Sequence, residues 1–240
     1  MELKNKNILI TGGAIRVGRA ISLELLNSGA NIFCHYNTSV ESAKSLQKLS
    51  SKIHLLQYDL SKIANLEMLV EQAASKAGTI DALINNASIF FKTPFGTVSE
   101  KQWDDLFLIN LKSPFFLAQK VGKLMLEQGW GKIINIGDTN GLNPWPSFIP
   151  YSLTKSGIIS MTKGLAKALA PKVQVNCINP GPVMLPENYT KHEKEIAIKN
   201  TLLKREGNAE DIAKTVRFLL EDSDYITGSI INVDGGRSVK

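Results

Sequence analysis

Short apolar runs alternate with segments of helical apolar spacing along almost the whole chain. Lys6 to Thr11 reads as a buried strand, and Val17 to Ser28 carries its apolar residues at helical spacing until Gly29 closes the segment. Strand Asn31 to Tyr36, helix Val40 to Leu49, strand Ile53 to Gln57, helix Lys62 to Lys76 and strand Ala82 to Asn85 continue the alternation. Ser99 with Gln102 forms a capping box that opens a long helix running towards Gln128, with Pro114 placed to bend it. Gly131 introduces strand Lys132 to Ile136; a Pro- and Gly-rich loop then leads to helix Tyr151 to Leu169, stopped by Pro171, and to strand Val173 to Ile178. No element is assigned between 180 and 198. Asn208 caps helix Ala209 to Leu220, and Ser229 to Val233 supplies the last strand before Asp234-Gly235-Gly236. Regular strand–helix alternation predicts an α/β fold: a doubly wound parallel sheet whose ligand crevice lies at the carboxyl ends of the strands.

With 240 residues, 43% of them hydrophobic, and no repeat or linker, the chain is expected to form one domain over residues 1–240. Its longest apolar runs, such as Ile8 to Ile10 and Ile133 to Ile136, are too short to cross a bilayer, and Glu2 precedes any apolar segment. A cytoplasmic protein, neither secreted nor membrane-spanning, is expected. Cys34 and Cys177 sit in strand-like runs without metal-ligand spacing, so they read as buried thiols and no metal is expected. Lys and Arg outnumber Asp and Glu by 28 to 22, but the basic residues are scattered and no aromatic platform is interleaved with them. Nucleic acid is therefore not an expected partner, whereas a small anionic cofactor needs only a few of these charges.

Candidate chemistry concentrates in two places. Thr11-Gly12-Gly13-Ala14-Ile15-Arg16-Val17-Gly18 joins the first strand to the first helix, where glycines let the backbone approach a pyrophosphate held at a helix N-terminus. A dinucleotide site specific for NAD places an acid after the second strand, but here that strand runs into Asn37, Thr38 and Ser39. Arg16 can pair with a 2′-phosphate while those three residues donate neutral hydrogen bonds, which favours NADPH; the alternative is a solvated arginine at the helix start. In the second place, Tyr151 and Lys155 lie four apart on a predicted helix, so the ammonium is expected to sit near the phenol and favour its ionised form. Asp138 lies thirteen residues upstream of Tyr151.

The glycine loop, Asn85-Asn86-Ala87, Asn110, Tyr151 with Lys155, and Pro180-Gly181 resemble the short-chain dehydrogenase/reductase family over essentially the full length, which implies a single Rossmann-type domain. Arg16 stands where the family's T-G-x-x-x-G-x-G has its second glycine, and Asp138 stands where most members have serine. Both features resemble the pteridine reductases and the similar dihydromonapterin reductases, whose catalytic set is Asp, Tyr and Lys. The resemblance implies that Asp138, Tyr151 and Lys155 are catalytic, and that Asn110 supports the lysine through water. Gly12, Val17, Gly18, Leu60, Asn86, Ala87, Ser88, Pro180, Gly181 and Val183 would contact the cofactor together with Arg16, Asn37, Thr38, Ser39, Tyr151 and Lys155. Asp59 would lie near the adenine, or else cap the helix that follows Leu60 and Ser61. Ser88, Phe90, Asp138 and Tyr151 would bind substrate, with Phe90 sandwiching a flat pterin against the nicotinamide; the competing reading of Phe90 and Phe91 is as loop anchors. Met184-Leu185-Pro186-Glu187 departs from the family's Thr-containing continuation, so no substrate contact is assigned there. Trp145 and Pro146 either wall the pocket or pack between subunits.

The resemblance thus implies NADPH-dependent reduction of a dihydropterin or dihydrofolate by a homotetramer. A carbonyl reductase such as a 3-oxoacyl carrier protein reductase is the first alternative, although it expects Ser at position 138. A non-catalytic NADPH-binding sensor is the second.

Overall fold

The computed structural model describes residues 1–185 and 189–240. Seven strands form one sheet: β1 (Asn7–Ile10), β2 (Asn31–Tyr36), β3 (Ile53–Gln57), β4 (Ala82–Asn85), β5 (Gly131–Ile136), β6 (Val173–Pro180) and β7 (Ile230–Val233). Their order is β3-β2-β1-β4-β5-β6-β7 and every neighbouring pair is parallel. The chain reverses its direction of travel between β1 and β4, so a crevice opens outside the carboxyl ends of those two strands. This is the single-domain, Rossmann-type α/β fold that the strand–helix alternation predicts.

Parallel strands are covered on both faces, which is why β1, β4 and β5 read as nearly continuous apolar runs. Helices α1 (Arg16–Asn27) and α8 (Ala209–Glu221) pack against each other on one face, where Ile8, Ile10, Ile21, Leu25, Val216 and Leu220 are fully buried. On the other face, α3 (Ile63–Ala77), α5 (Ser113–Gln128) and α6 (Ile149–Leu169) bury Leu9, Leu66, Leu69, Leu117, Met125 and Ile133. Helix α2 (Val40–Gln47) covers the β2–β3 edge. At roughly 25 cal/mol per Å² of apolar surface, each large side chain buried in these layers contributes on the order of 2 kcal/mol.

Two stretches depart from the sequence reading. The long helix towards Gln128 is two helices, α4 (Glu100–Phe107) and α5, joined by a π-helical turn at Leu108–Lys112. Pro114 is the cause: it has no N–H to return to the Asn110 carbonyl four residues back, so the ladder widens there. The stretch left without an element contains α7 (Lys191–Lys199), opened by a capping box in which Thr190 and Glu193 bond reciprocally. Pro186 and Glu187 of the Met184–Glu187 departure lie outside the described residues. Among the described residues, no helix is long and apolar enough to cross a membrane, and no cluster of His, Cys, Asp or Glu is arranged to hold a metal.

Candidate active site

Gly12 has φ +63°, a conformation that L side chains rarely adopt, and this bends the chain from β1 into α1. At Gly18 an added Cβ would collide with the Gly12 carbonyl oxygen and lie 2.7 Å from the Asn86 side-chain nitrogen. The absence of a side chain at 18 is thus what lets the first turn of α1 lie against the loop. Thr11 and Asn86 fix the loop to the end of β4. The Thr11 hydroxyl accepts from the backbone N–H groups of Asn86 and Ala87 at 2.9 and 3.0 Å, and the Asn86 amide donates to the carbonyls of Thr11 and Gly12 at 2.9 and 3.2 Å.

His35, to which the sequence reading assigned no role, holds the loop from the other side. Its Nδ1 accepts the Gly12 N–H at 3.1 Å and its Nε2 pairs with the Tyr58 carbonyl at 3.0 Å. A neutral imidazole with the proton on Nε2 satisfies both contacts. Burial is the main reason its pKa falls to about 4. The only sign of it in the sequence is a polar residue inside an apolar strand.

The start of α1 is open. Its N-cap, Ile15, gives no side-chain hydrogen bond and no acid stands in its first turn, so the unpaired N–H groups and the positive end of the helix dipole face a cavity of about 480 Å³ lined by Gly12, Ile15, Arg16, Val17 and Gly18. A phosphate group fits such a terminus without rearrangement. Arg16 is exposed at the same rim with φ +51°, in the place where glycine would be unstrained, and its guanidinium donates to the Met184 carbonyl. Asn37, Thr38 and Leu60 line the cavity's outer end. Ser39 and Asp59 do not. Ser39 stands at the N-cap position of α2, and one carboxylate oxygen of Asp59 accepts the Ser61 N–H at 2.9 Å in a turn ahead of α3, whose own N-cap position is Lys62 and carries no side-chain cap.

Residues from the end of β4, the end of β5 and the start of α6 close the other end of the cavity. The Tyr151 hydroxyl donates to one oxygen of Asp138 at 2.8 Å, and the other oxygen accepts the Asn140 N–H at 2.7 Å. Lys155 is buried and donates to the Ile136 carbonyl at 3.0 Å, with its nitrogen 5.6 Å from the Tyr151 ring centre. Other influences outweigh the ammonium at the phenol: burial first, then the charge of Asp138, hold the Tyr151 pKa well above its ordinary value. Tyr151 is therefore a protonated donor in this site. Burial raises Asp138 as well, against the opposing pull of the Asn140 N–H and Lys155, and burial lowers Lys155.

The Asn110 side chain is committed to the segment that follows β4. It accepts from the Ile89 N–H at 2.8 Å and the Ser88 hydroxyl at 3.1 Å, and donates to the Ile89 carbonyl at 2.9 Å. It thereby shapes the segment carrying Ser88 and Phe90, a role made possible by the π-helical turn in which it sits. Phe90 is stacked on Phe148 with ring centres 4.6 Å apart and stands edge-on to Tyr151 at 4.8 Å, so it is both pocket wall and anchor. Trp145 lines the cavity and packs edge-on to Phe148. Asn86, Ala87, Ser88, Pro180, Gly181 and Val183 line it as well. So do Tyr189 and Arg237, which the motifs did not reveal because both come from segments without a family pattern.

The sequence profile described as "short chain dehydrogenase" matches residues 6–196. The chain belongs to the short chain dehydrogenase family. Among curated short chain dehydrogenases it is 34% identical to the 3-oxoacyl-[acyl-carrier-protein] reductase FabG of Thermotoga maritima, across 98% of this chain and 99% of that one. Among solved structures it is similar to FolM alternative dihydrofolate reductase 1 from Brucella canis, complexed with NADP, with a TM-score of 0.92 and 32% identity over 100% of this chain and 96% of that one. A blue fluorescent protein from a metagenomic library, in complex with NADPH, gives the same TM-score and identity over 99% of this chain and 100% of that one. Fold, glycine loop and Tyr–Lys pair place this short chain dehydrogenase among the oxidoreductases. Of the relatives named, one is a 3-oxoacyl-[acyl-carrier-protein] reductase and another an alternative dihydrofolate reductase.

Proposed function

We propose that the chain is an NADPH-dependent reductase of a dihydropterin or dihydrofolate. The observation that carries this is the hydrogen bond from the Tyr151 hydroxyl to the Asp138 carboxylate. An aspartate holding the donor suits a ring nitrogen, which is basic enough to take the proton before the hydride arrives, so that positive charge develops beside the carboxylate; beside the alkoxide of a carbonyl reduction the same carboxylate would be repulsive. NADPH, when bound, supplies a hydride equivalent to the substrate ring at C6. Gly12, Gly18 and the open start of α1 would hold its pyrophosphate and Arg16 its 2′-phosphate. Tyr151 would give its proton to N5, Lys155 would stay at the Ile136 carbonyl as the nearby positive charge, and Asp138 would orient the hydroxyl and support its reprotonation. The FabG relatives favour a 3-oxoacyl thioester as the second reading. Following NADPH oxidation with dihydromonapterin, dihydrobiopterin, dihydrofolate and an acetoacetyl thioester separates the two, and turnover of none would point to a sensor.

Cofactor preference is expected to follow Arg16. NADPH should exceed NADH in catalytic efficiency by about tenfold or more, which is about 1.4 kcal/mol. Arg16→Gly should raise the KM for NADPH far more than that for NADH while relieving the positive-φ strain at this position. Equal efficiency of the two cofactors in the wild type would refute the assignment.

Assembly as a homotetramer completes the proposal. Trp103, Phe115, Ile149 and Leu153, on α4 to α6, are partly exposed apolar residues of the kind an interface would cover. Light scattering at micromolar concentration should give four chains, and a one-chain mass would contradict the assembly.

A further inference from the structure

Among the residues lining the cavity, three cations face one carboxylate: Arg16, Lys155 and Arg237 against Asp138. Lys155, buried, and Asp138, half-buried, stand at the reacting end, and Arg16 stands at the opposite end by the glycine loop. Arg237 remains. It belongs to a single 3-10 turn, Arg237–Val239, whose position is set by Asp234: the two oxygens of Asp234 accept the Gly236 and Ser238 N–H groups at 2.9 and 2.7 Å. With Asp234 committed to those amides, no carboxylate among the described residues lies within 4.0 Å of the Arg237 guanidinium.

The guanidinium lies 4.6 Å from the Trp145 ring centre, and one of its terminal nitrogens donates to the Ala197 carbonyl in the last turn of α7 at 3.0 Å. Stacking on an indole and one fixed hydrogen bond hold the planar fork in place and leave further N–H donors. Trp145 in turn packs against Phe148, which stacks on Phe90, so the cation extends the aromatic wall of the substrate end. A half-buried cation in a concave wall costs desolvation that an anionic ligand recovers through charge-assisted hydrogen bonds.

We propose that Arg237, stacked on Trp145, is a specificity-determining residue that takes the carboxylate of a substrate whose flat ring is held by the adjacent aromatic wall. The proposal rests on the dihydropterin reading and narrows it: the preferred substrate carries an acidic substituent, as a dihydrofolate does, in place of an uncharged polyol side chain.

Calorimetry on the NADP⁺-saturated protein tests it with three probes: folate, 6-hydroxymethylpterin, which has the ring without a carboxylate, and N-(4-aminobenzoyl)glutamate, which has the carboxylates without the ring. The wild type should bind folate at least about tenfold more tightly than hydroxymethylpterin, the scale of one charge-assisted bond. Arg237→Gln should bring the two within about twofold and abolish aminobenzoylglutamate binding, with Arg237→Lys intermediate because it keeps the charge without the planar fork. NADP⁺ affinity should be unchanged throughout. An unaltered folate-to-pterin ratio in Arg237→Gln, an equal loss for both ring ligands, or a loss of NADP⁺ affinity overturns the proposal. Aminobenzoylglutamate keeps it decidable if no pterin binds: Arg237-dependent binding of that probe supports the anion site even where the pterin reading has failed, and its absence overturns it.

Discussion

Tyr151→Phe should lower turnover of a dihydropterin by more than about 10²-fold, within the range general acid catalysis supplies, with NADPH affinity nearly unchanged. Phenylalanine keeps the ring and its edge-on contact with Phe90 while removing the proton that the site keeps on the oxygen by burial and by the charge of Asp138. It also leaves one oxygen of Asp138 without its 2.8 Å donor, which should cost about 1–3 kcal/mol of stability, so the melting temperature must be followed beside the rate. Asp138→Ser is the companion variant. It should cost dihydropterin reduction about 10²-fold, because the hydroxyl of Tyr151 loses its orienting acceptor, while raising activity on an oxoacyl thioester by removing a negative charge from the developing alkoxide. Dihydropterin turnover that survives Asp138→Ser unchanged refutes the role given to the carboxylate.

Acid should loosen the cofactor loop through His35. The imidazole is neutral in the fold, with a pKa of about 4 against an ordinary 6.5. Above pH 6.5 both folded and unfolded chains hold it unprotonated and stability does not depend on it. As pH falls from 6.5 to 4, only the unfolded chain takes up the proton, so stability drops by about 1.4 kcal/mol per pH unit, up to about 3 kcal/mol in all. Below pH 4 the folded chain protonates as well, and Nδ1 can no longer accept from Gly12. His35→Asn keeps an acceptor without a titrating group, so urea melts at pH 6.5, 5.5 and 4.5 should show a shallower decline for the variant. Parallel declines in the two proteins would rule out His35 as the source.

How far the sequence carried the fold depended on the range of the interaction. Apolar periodicity, capping residues and glycines act within a few positions, so the strands, the capping box at Ser99 and Gln102, and the end of α6 before Pro171 were legible. Thr190 and Glu193 carry the same signal for α7, in a stretch to which the sequence reading assigned no element. Pro114 announced a bend. That the bend is a π-helical turn committing Asn110 to Ile89 and Ser88 depends on the neighbouring loop.

In the site, residue identity at motif positions was enough to assemble the glycine loop, Asp138, Tyr151 and Lys155 in advance, because a parallel α/β sheet brings the carboxyl ends of its strands together whatever lies between them. The sequence by itself determined this fold class and which chemistry-bearing residues meet at the crevice. Only the tertiary structure decided the rise of the Tyr151 pKa above its ordinary value, the service of His35 to the loop, and the arrival of Arg237 at Trp145. Each of these depends on burial or on contact between segments far apart in the chain, and neither desolvation nor long-range contact has a local signature in the order of residues.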